Sequence, residues 1–109
     1  MTLTNVDLVA MSALIVETVA PERIILFGSH ARGDANDDSD IDLLVVVEDG
    51  FQKRSRWQEL QKIRRKLTSF PHPKDILLYS RDEVARWQHS ANHIITHAIQ
   101  EGRPLYERP

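Results

Sequence analysis

The feature that most constrains this chain is a nearly continuous apolar run, Ile41–Val47 (IDLLVVV), in which Asp42 is the only polar residue. A short run rich in β-branched residues is typical of a strand that is buried on both faces. The residues before it, 33–39 (GDANDDS), are all small or turn-forming, which indicates a loop. We therefore expect a fold built around a central strand that begins just after a polar loop.

Helix and strand patterns alternate along the rest of the chain. Thr4 with Asp7, and Ser80 with Glu83, have the spacing of capping boxes, which mark helix starts. In order, the patterns predict a helix ending before Pro21, strand 23–27, a short helix at 29–32, strand 41–47, a basic amphipathic helix over 51–70, strand 74–79, and a helix over 82–101 ending at a left-handed Gly102. This order predicts an α/β (α+β) domain with a short mixed sheet backed by helices.

Length and composition narrow the class of protein. The 109 residues suit one domain spanning 1–109, and 41% hydrophobic residues with a net charge of −2 exclude a disordered chain. The absence of cysteine excludes disulfides and thiolate metal sites. The longest uninterrupted apolar stretch, 43–47, is too short to span a membrane, and residues 1–20 lack the positive charge of a secretory signal. We expect a cytoplasmic protein without a membrane partner.

Asp40 and Asp42 are the first candidates for chemistry. Strand alternation places them on one face, with Cα atoms ~6–7 Å apart. At an effective dielectric constant near 20, the repulsion between two such carboxylates is ~3 kcal/mol, which is a large cost for a small domain. A hard divalent cation such as Mg²⁺ removes that conflict. The ordinary alternative is that Asp40 caps the strand entry and Asp42 faces solvent.

Two further segments complete the candidate site. Asp75 begins the next strand, so it faces Asp40 and Asp42 if the two strands pair; otherwise it is only a residue at a strand edge. The Gly28-Ser29 turn follows a strand and opens a short helix, which leaves backbone N–H groups free to receive phosphate oxygens. Carboxylates, a cation and a phosphate-binding turn together predict a nucleotide site.

Two other motif interpretations fail on the same residues. The spacing of Gly28 and Gly33 fits half of a P-loop, but Asp34 and Ala35 follow instead of lysine and a hydroxyl residue. The segment from Asp34 imitates the start of an EF-hand, but Ser39 replaces its glycine and Val45 replaces its final glutamate.

The segment 28–46 (GSHARGDANDDSDIDLLVV) resembles the Gly-Ser-x(n)-Asp-x-Asp signature of the polymerase-β nucleotidyltransferase superfamily, and the short chain resembles its minimal nucleotidyltransferases. The strand with Asp75 and the C-terminal stretch 101–107 also match the family layout. The resemblance implies a nucleotidyltransferase palm with its site on the open face of the sheet. It further implies that Asp40, Asp42 and Asp75 bind metal, that Asp75 helps to activate the attacking hydroxyl, and that Gly28 and Ser29 hold the β- and γ-phosphates.

The same resemblance implies an activity and a partner. Family members transfer a nucleoside monophosphate, often AMP from ATP, to a hydroxyl group and release pyrophosphate. They use Mg²⁺, with two ions expected here and Mn²⁺ as an alternative. Many are antitoxins paired with a HEPN toxin, and some silence it by adding AMP to a tyrosine. We therefore expect a protein adenylyltransferase whose acceptor is a HEPN partner.

Several other residues leave alternatives open. Arg32 and Ser39 are additional candidates for nucleotide binding, although Arg32 could equally pair with Asp34 or Asp38. The four-residue spacing of His89, His93 and His97 could hold zinc, but a polar helix face is the favoured interpretation. A group of four large apolar residues is expected in the core or in a partner contact: Trp57, Trp87, Ile94 and Ile95.

Two alternative functions follow from the same sequence. The chain could neutralise a toxin by binding alone, with weak or absent catalysis. Alternatively, the basic helix at 53–66 could bind nucleic acid directly, although the net charge of −2 argues against it.

Overall fold

A computed structural model describes residues 3–109 of the chain. In chain order its elements are α1 (Asn5–Val19), β1 (Arg23–Phe27), α2 (Ser29–Arg32), β2 (Ile41–Val47), α3 (Arg56–Lys66), β3 (Lys74–Ser80), α4 (Arg81–Trp87), α5 (Ile94–Glu101) and β4 (Arg103–Glu107).

The four strands form one mixed sheet in the order β3-β2-β1-β4. Strand β1 is antiparallel to both β2 and β4, while β2 and β3 are parallel and connected through α3. The prediction of a short mixed sheet with a central β2 is therefore confirmed. The predicted capping boxes at Thr4 and Ser80 are also present.

Helices cover both faces of the sheet. Alternate residues of β2 point to opposite sides, so Leu43 and Val45 pack beneath α1 and α3, whereas Leu44 and Val46 pack with residues of α4 and α5. Every residue of β2 except Asp42 is buried. The central strand thus has one polar position, Asp42, which is its second residue.

The predicted helix over 51–70 was too long. Residues 51–54 form bends, and α3 starts after Ser55, whose hydroxyl accepts a hydrogen bond from the Gln58 N–H (3.2 Å). The N-terminal overhang of the prediction arose because Phe51 continues the apolar spacing, while the serine cap sets the actual start.

The predicted single helix over 82–101 was also wrong, because it is divided into α4 and α5. The Thr96 hydroxyl donates to the carbonyls of Trp87 (2.7 Å) and Ser90 (2.5 Å), and the His93 ring accepts from the Ile95 N–H (3.1 Å). These polar side chains bond to the backbone at the break and so compete with a continuous helix.

The C-terminal end departs from prediction in two respects. Gly102 is extended (φ −81°, ψ 166°), not left-handed. Its role is spatial, because a Cβ there would lie 2.2 Å from the Ala98 carbonyl oxygen and 2.4 Å from Ile25 Cγ2. Beyond it, β4 was not predicted as a strand, since Pro104 interrupts the pattern; at a sheet edge a proline is tolerated. Within residues 3–109, no helix is both long and apolar enough to cross a membrane.

Candidate active site

Three strands bring the candidate residues together at one end of the sheet. Phe27, the last residue of β1, pairs with Asp42, and Asp42 pairs with Asp75 at the start of β3. Since β1 is antiparallel to β2, its C-terminal end meets the N-terminal ends of β2 and β3. The turn at Gly28 therefore lies beside the two aspartates.

Asp42 and Asp75 share a face of the sheet. They are direct partners in neighbouring parallel strands, which are about 4.8 Å apart. The next residues on that face, Leu44 and Leu77, belong to the core beneath α4 and α5. The expectation of a site on an open face of the sheet is therefore wrong: the site lies on the face covered by α4 and α5, at an end where Asp75 is exposed and Asp42 only partly buried.

The carboxylates of Asp40 and Asp75 lie close enough to Asp42 to affect its ionisation. Burial raises the pKa of Asp42, and the negative charges of Asp75 and then Asp40 raise the pKa further. His30 and Arg32 act in the opposite direction, but the pKa remains above its ordinary value. The negative charges of Asp75 and Asp40 around Asp42 are thus not neutralised by the nearby His30 and Arg32.

The Gly28-Ser29 turn is packed directly against Asp42. Gly28 has φ +73°, and a Cβ at that position would lie 2.2 Å from Asp42 Oδ2. Its carbonyl accepts hydrogen bonds from the N–H groups of Ala31 and Arg32 (both 3.1 Å), which forms the first turn of α2. The N–H groups at the start of such a turn have no partner within the helix, so they are available to an anion. Only a glycine allows the turn to approach the carboxylate so closely.

The loop between α2 and β2 is fixed by local hydrogen bonds. His30 Nε2 bonds to the Ser39 carbonyl oxygen (3.1 Å), which joins α2 to the residue before Asp40. The Ser39 hydroxyl accepts from the Asn36 N–H (3.0 Å), and Asn36 Oδ1 accepts from the Asp38 N–H (2.8 Å). The contact of His30 across the loop has no local sequence signal. The Ser39 hydroxyl serves the loop here, so nucleotide binding by Ser39 stays a prediction.

Arg32 lies at the rim of the site. Its guanidinium pairs with Asp34 (3.3 Å) and with Glu101 (3.7 Å) at the end of α5, and its side chain is half exposed. Of the predicted pairs, the one with Asp34 forms. The residue that sequence reasoning missed is Glu101, because its approach depends on the packing of α5 across the sheet.

The donor set fits a hard cation that also binds substrate. Among residues 3–109, no three His, Cys, Asp or Glu side chains are grouped so as to hold a metal by themselves. Mg²⁺ usually takes one or two carboxylates and completes its shell with water and phosphate oxygens. Asp42 and Asp75 are register partners beside the Gly28-Ser29 turn, so two carboxylates next to backbone N–H groups that have no partner within the helix match that requirement.

The histidine series does not form a site. His89 lies in the break between the helices, His93 caps α5 and stacks on Trp87 (ring centroids 4.7 Å apart), and His97 lies 4.0 Å from Glu101. The three imidazoles do not share one helix face, so the zinc alternative lacks its geometric basis.

Residues 10–109 match the family described as "Polymerase beta, Nucleotidyltransferase". The chain belongs to this family. A relative from Methanocaldococcus jannaschii, named as a proposed protein adenylyltransferase, is 39% identical over 57 residues, covering 52% of this chain and 54% of that protein. The chain thus spans about half the length of this curated relative.

Solved structures share the nucleotidyltransferase fold. A proposed nucleotidyltransferase of Sulfolobus solfataricus has a TM-score of 0.59 and 24% identity, covering 95% of this chain and 84% of that one. The tri-AMPylated Shewanella oneidensis HEPN toxin in complex with MNT antitoxin gives a TM-score of 0.58 and 17% identity, covering 94% of this chain and 71% of that one. At these identities the likeness shows the fold alone, and it agrees with the predicted palm.

Proposed function

We propose that this nucleotidyltransferase transfers AMP from ATP to a hydroxyl group of a protein, with release of pyrophosphate. The observation that carries the proposal is the register of β2 and β3, which sets Asp42 beside Asp75, with Gly28 packed against the Asp42 carboxylate. This arrangement offers metal-binding oxygens next to backbone donors for phosphate, as nucleotidyl transfer requires.

Each candidate residue has a role in this proposal. Asp40 and Asp42 would hold Mg²⁺ against the phosphates, and Asp75 would help to hold a second ion. Mn²⁺ is the alternative metal. When bound, the ions supply charge neutralisation at the phosphates and favour the ionised acceptor hydroxyl. Gly28 and Ser29 direct backbone N–H groups at the leaving pyrophosphate, and Arg32 and Ser39 remain additional nucleotide contacts to be tested.

The proposed acceptor is a tyrosine of a HEPN toxin, so that the chain acts as an antitoxin in the cytoplasm. Support comes from the M. jannaschii relative, whose name points to protein adenylylation. Further support comes from the fold shared with the complex of an AMPylated HEPN toxin and MNT antitoxin.

The experiment is transfer of labelled AMP to a cognate HEPN protein in the presence of ATP and Mg²⁺. We expect Asp42→Asn to reduce labelling by at least about 100-fold, because it removes a charged metal ligand. Asp49→Asn is the matched control, since it removes an exposed carboxylate beyond the other end of β2 and should leave labelling intact. Equal labelling by Asp42→Asn and wild type, with both proteins folded, would reject the metal role of Asp42.

A second candidate function is neutralisation by binding alone. It is favoured by the exposed apolar side chains of Val6, Val9 and Trp57, which a bound partner protein would cover. The two candidates separate in cells that express the toxin with an Asp40→Asn/Asp42→Asn variant. Loss of protection supports transfer, whereas full protection without AMP on the toxin supports binding.

A further inference from the structure

The first two turns of α1 expose apolar side chains where a surface helix is normally polar. Its inner stripe, including Met11 and Ile15, is buried in the core, yet Val6 and Val9 are 77% and 69% exposed. The first four residues of the helix contain one charged side chain, Asp7, which is used in the capping box. Farther along α1 the exposed side chains are small or charged, so the exposure of large apolar side chains is confined to the start of the helix. The described residues leave this apolar patch of Val6 and Val9 uncovered.

The outer side of α3 adds an exposed aromatic residue and positive charge. Trp57 is 67% exposed, and together with Gln58, Gln61, Lys62 and Arg65 it lines a groove of about 400 Å³. Lys62 pairs with Glu59 (3.4 Å), whereas Arg65 forms no ion pair with any carboxylate in residues 3–109. The groove thus has an aromatic end and a cationic side.

Topology places these two surfaces in one layer. α1 and α3 pack against each other on the same face of the sheet. A short turn reverses the chain between α1 and β1, and α3 returns from the end of β2 to the start of the parallel β3. The two helices therefore run in opposite directions. Trp57 lies toward the end of α1, and Val6 and Val9 lie toward the basic end of α3.

We propose that this α1/α3 surface binds an acidic amphipathic helix of a partner protein. The apolar side of that helix would cover Val6, Val9 and Trp57, while its carboxylates would meet Lys62 and Arg65. The surface lies on the opposite face of the sheet from Asp42 and Asp75, so the contact is separate from the proposed chemistry. A partner could be held here without obstructing the nucleotide site.

The features of the surface favour this occupant over two others. A nucleic acid would leave the valine side chains uncovered, since phosphates and sugars offer them no apolar contact, and the chain's net charge is −2. A second copy would need an acidic amphipathic helix, but the chain's clustered carboxylates lie in the loop before β2: Asp34, Asp37, Asp38 and Asp40. Charge complementarity therefore points to a different protein.

The test uses a labelled synthetic helix with leucine on one side and glutamate on the other, titrated with the full chain in fluorescence anisotropy. A second peptide keeps the leucines and replaces every glutamate with lysine. A single-stranded RNA is the third probe. We expect the acidic peptide to bind at least about tenfold more tightly than the basic one, with affinity falling as salt rises.

Variants locate the binding surface. Val6→Ser/Val9→Ser and Trp57→Ala should each weaken the acidic peptide by about tenfold or more. Lys62→Glu/Arg65→Glu should reverse the preference toward the basic peptide. Ile94→Ser and Arg64→Glu are the matched controls: Ile94 is exposed on α5, and Arg64 is an exposed α3 residue that does not line the groove. Both controls should bind as wild type does.

Four results would overturn the proposal: no binding of the acidic peptide, equal binding of both peptides, tighter binding of RNA, or a dimer of the chain that Val6→Ser/Val9→Ser abolishes. The test is independent of the proposed transfer reaction, because it needs no nucleotide. Asp42→Asn should retain full peptide binding, so a failure of one proposal is distinguishable from a failure of the other.

Discussion

At the end of the sheet where β2 and β3 begin, Asp42 and Asp75 lie side by side. At the opposite end of these strands, Glu22 accepts hydrogen bonds from Arg81, and Glu48 pairs with Arg108 (3.2 Å). Both ends are rich in carboxylates, but the two glutamates form ion pairs with arginine, whereas the two aspartates form none within residues 3–109. The contrast shows in the pKa values: burial and like charge raise the pKa of Asp42, whereas the Arg81 hydrogen bond lowers that of Glu22.

Structural charges and those of the proposed site thus lie at opposite ends of the same strands. The pairs at the opposite end join distant segments, since Arg81 and Glu22 are 59 residues apart and Arg108 donates to the Ala20 carbonyl (2.6 Å) 88 residues away. These contacts hold together segments that are far apart in the sequence. The end with Asp42 and Asp75 keeps unneutralised charge at a cost in stability, and such a cost is typical of a site that binds an external ligand.

The largest effect is expected at Gly28, where the two parts of the proposed site meet. Gly28→Ala puts a methyl group against Asp42 Oδ2 in a backbone region that disfavours L-residues. We expect the free energy of unfolding to fall by about 1–3 kcal/mol and AMP transfer to fall by at least about 100-fold. Chemical denaturation and the labelling assay measure the two effects.

Gly33→Ala is the control for backbone strain alone. Gly33 also has a left-handed φ (+86°), but no atom lies within 4 Å of its ideal Cβ. It should lose about 1 kcal/mol of stability and keep most of its activity. Equal loss of activity in the two variants would remove the special role of the contact between Gly28 and Asp42.

The next effect concerns pH and the charge of Asp42. Because its folded pKa lies above its unfolded value, the folded state holds the proton more tightly as pH rises through the interval between them. Stability from this group is present at lower pH and falls as pH rises through that interval. Denaturation profiles of wild type and Asp42→Asn should differ by this slope.

Magnesium with a non-hydrolysable ATP analogue should change that behaviour. If a bound cation neutralises the charges of Asp42 and Asp75, the carboxyl carbon of Asp42, followed by NMR, should titrate at a lower pH than in the free protein. An unchanged titration midpoint at saturating nucleotide would contradict metal binding by Asp42. Asp49 provides an internal reference, because it is exposed and distant from the site.

Local patterns predicted the parts of this molecule that local physics determines. The strand at 41–47 follows from its apolar residues, and the capping boxes at Thr4 and Ser80 follow from three-residue spacing. The common face of Asp40 and Asp42 was predicted by alternation, whereas their relation to Asp75 needed the pairing of β2 with β3. The roles assigned to these aspartates stay predictions until the variants are measured.

What the sequence could not supply depends on distant segments. Gly102 is required by the closeness of Ile25, and β4 forms because it completes the edge beside β1. The break before α5 depends on Thr96, whose hydroxyl reaches carbonyls six and nine residues earlier. None of these contacts leaves a periodic signal, so helix length and the final strand were the errors.

The smallest effect is expected at the opposite end of the sheet, where it tests whether the pair of Glu22 and Arg81 serves structure alone. Glu22→Gln removes the carboxylate that Arg81 bonds, but the Arg81 side chain is 55% exposed. Exposed pairs contribute little, so we expect a fall in melting temperature of less than about 4 °C, smaller still at high salt. Because the folded pKa of Glu22 is lowered, its contribution is present at neutral pH and lost as pH falls through that folded pKa. AMP transfer should not change. A loss of transfer without unfolding would show that the two ends of the sheet are coupled. The charges at Glu22 and Arg81 would then serve function as well as structure.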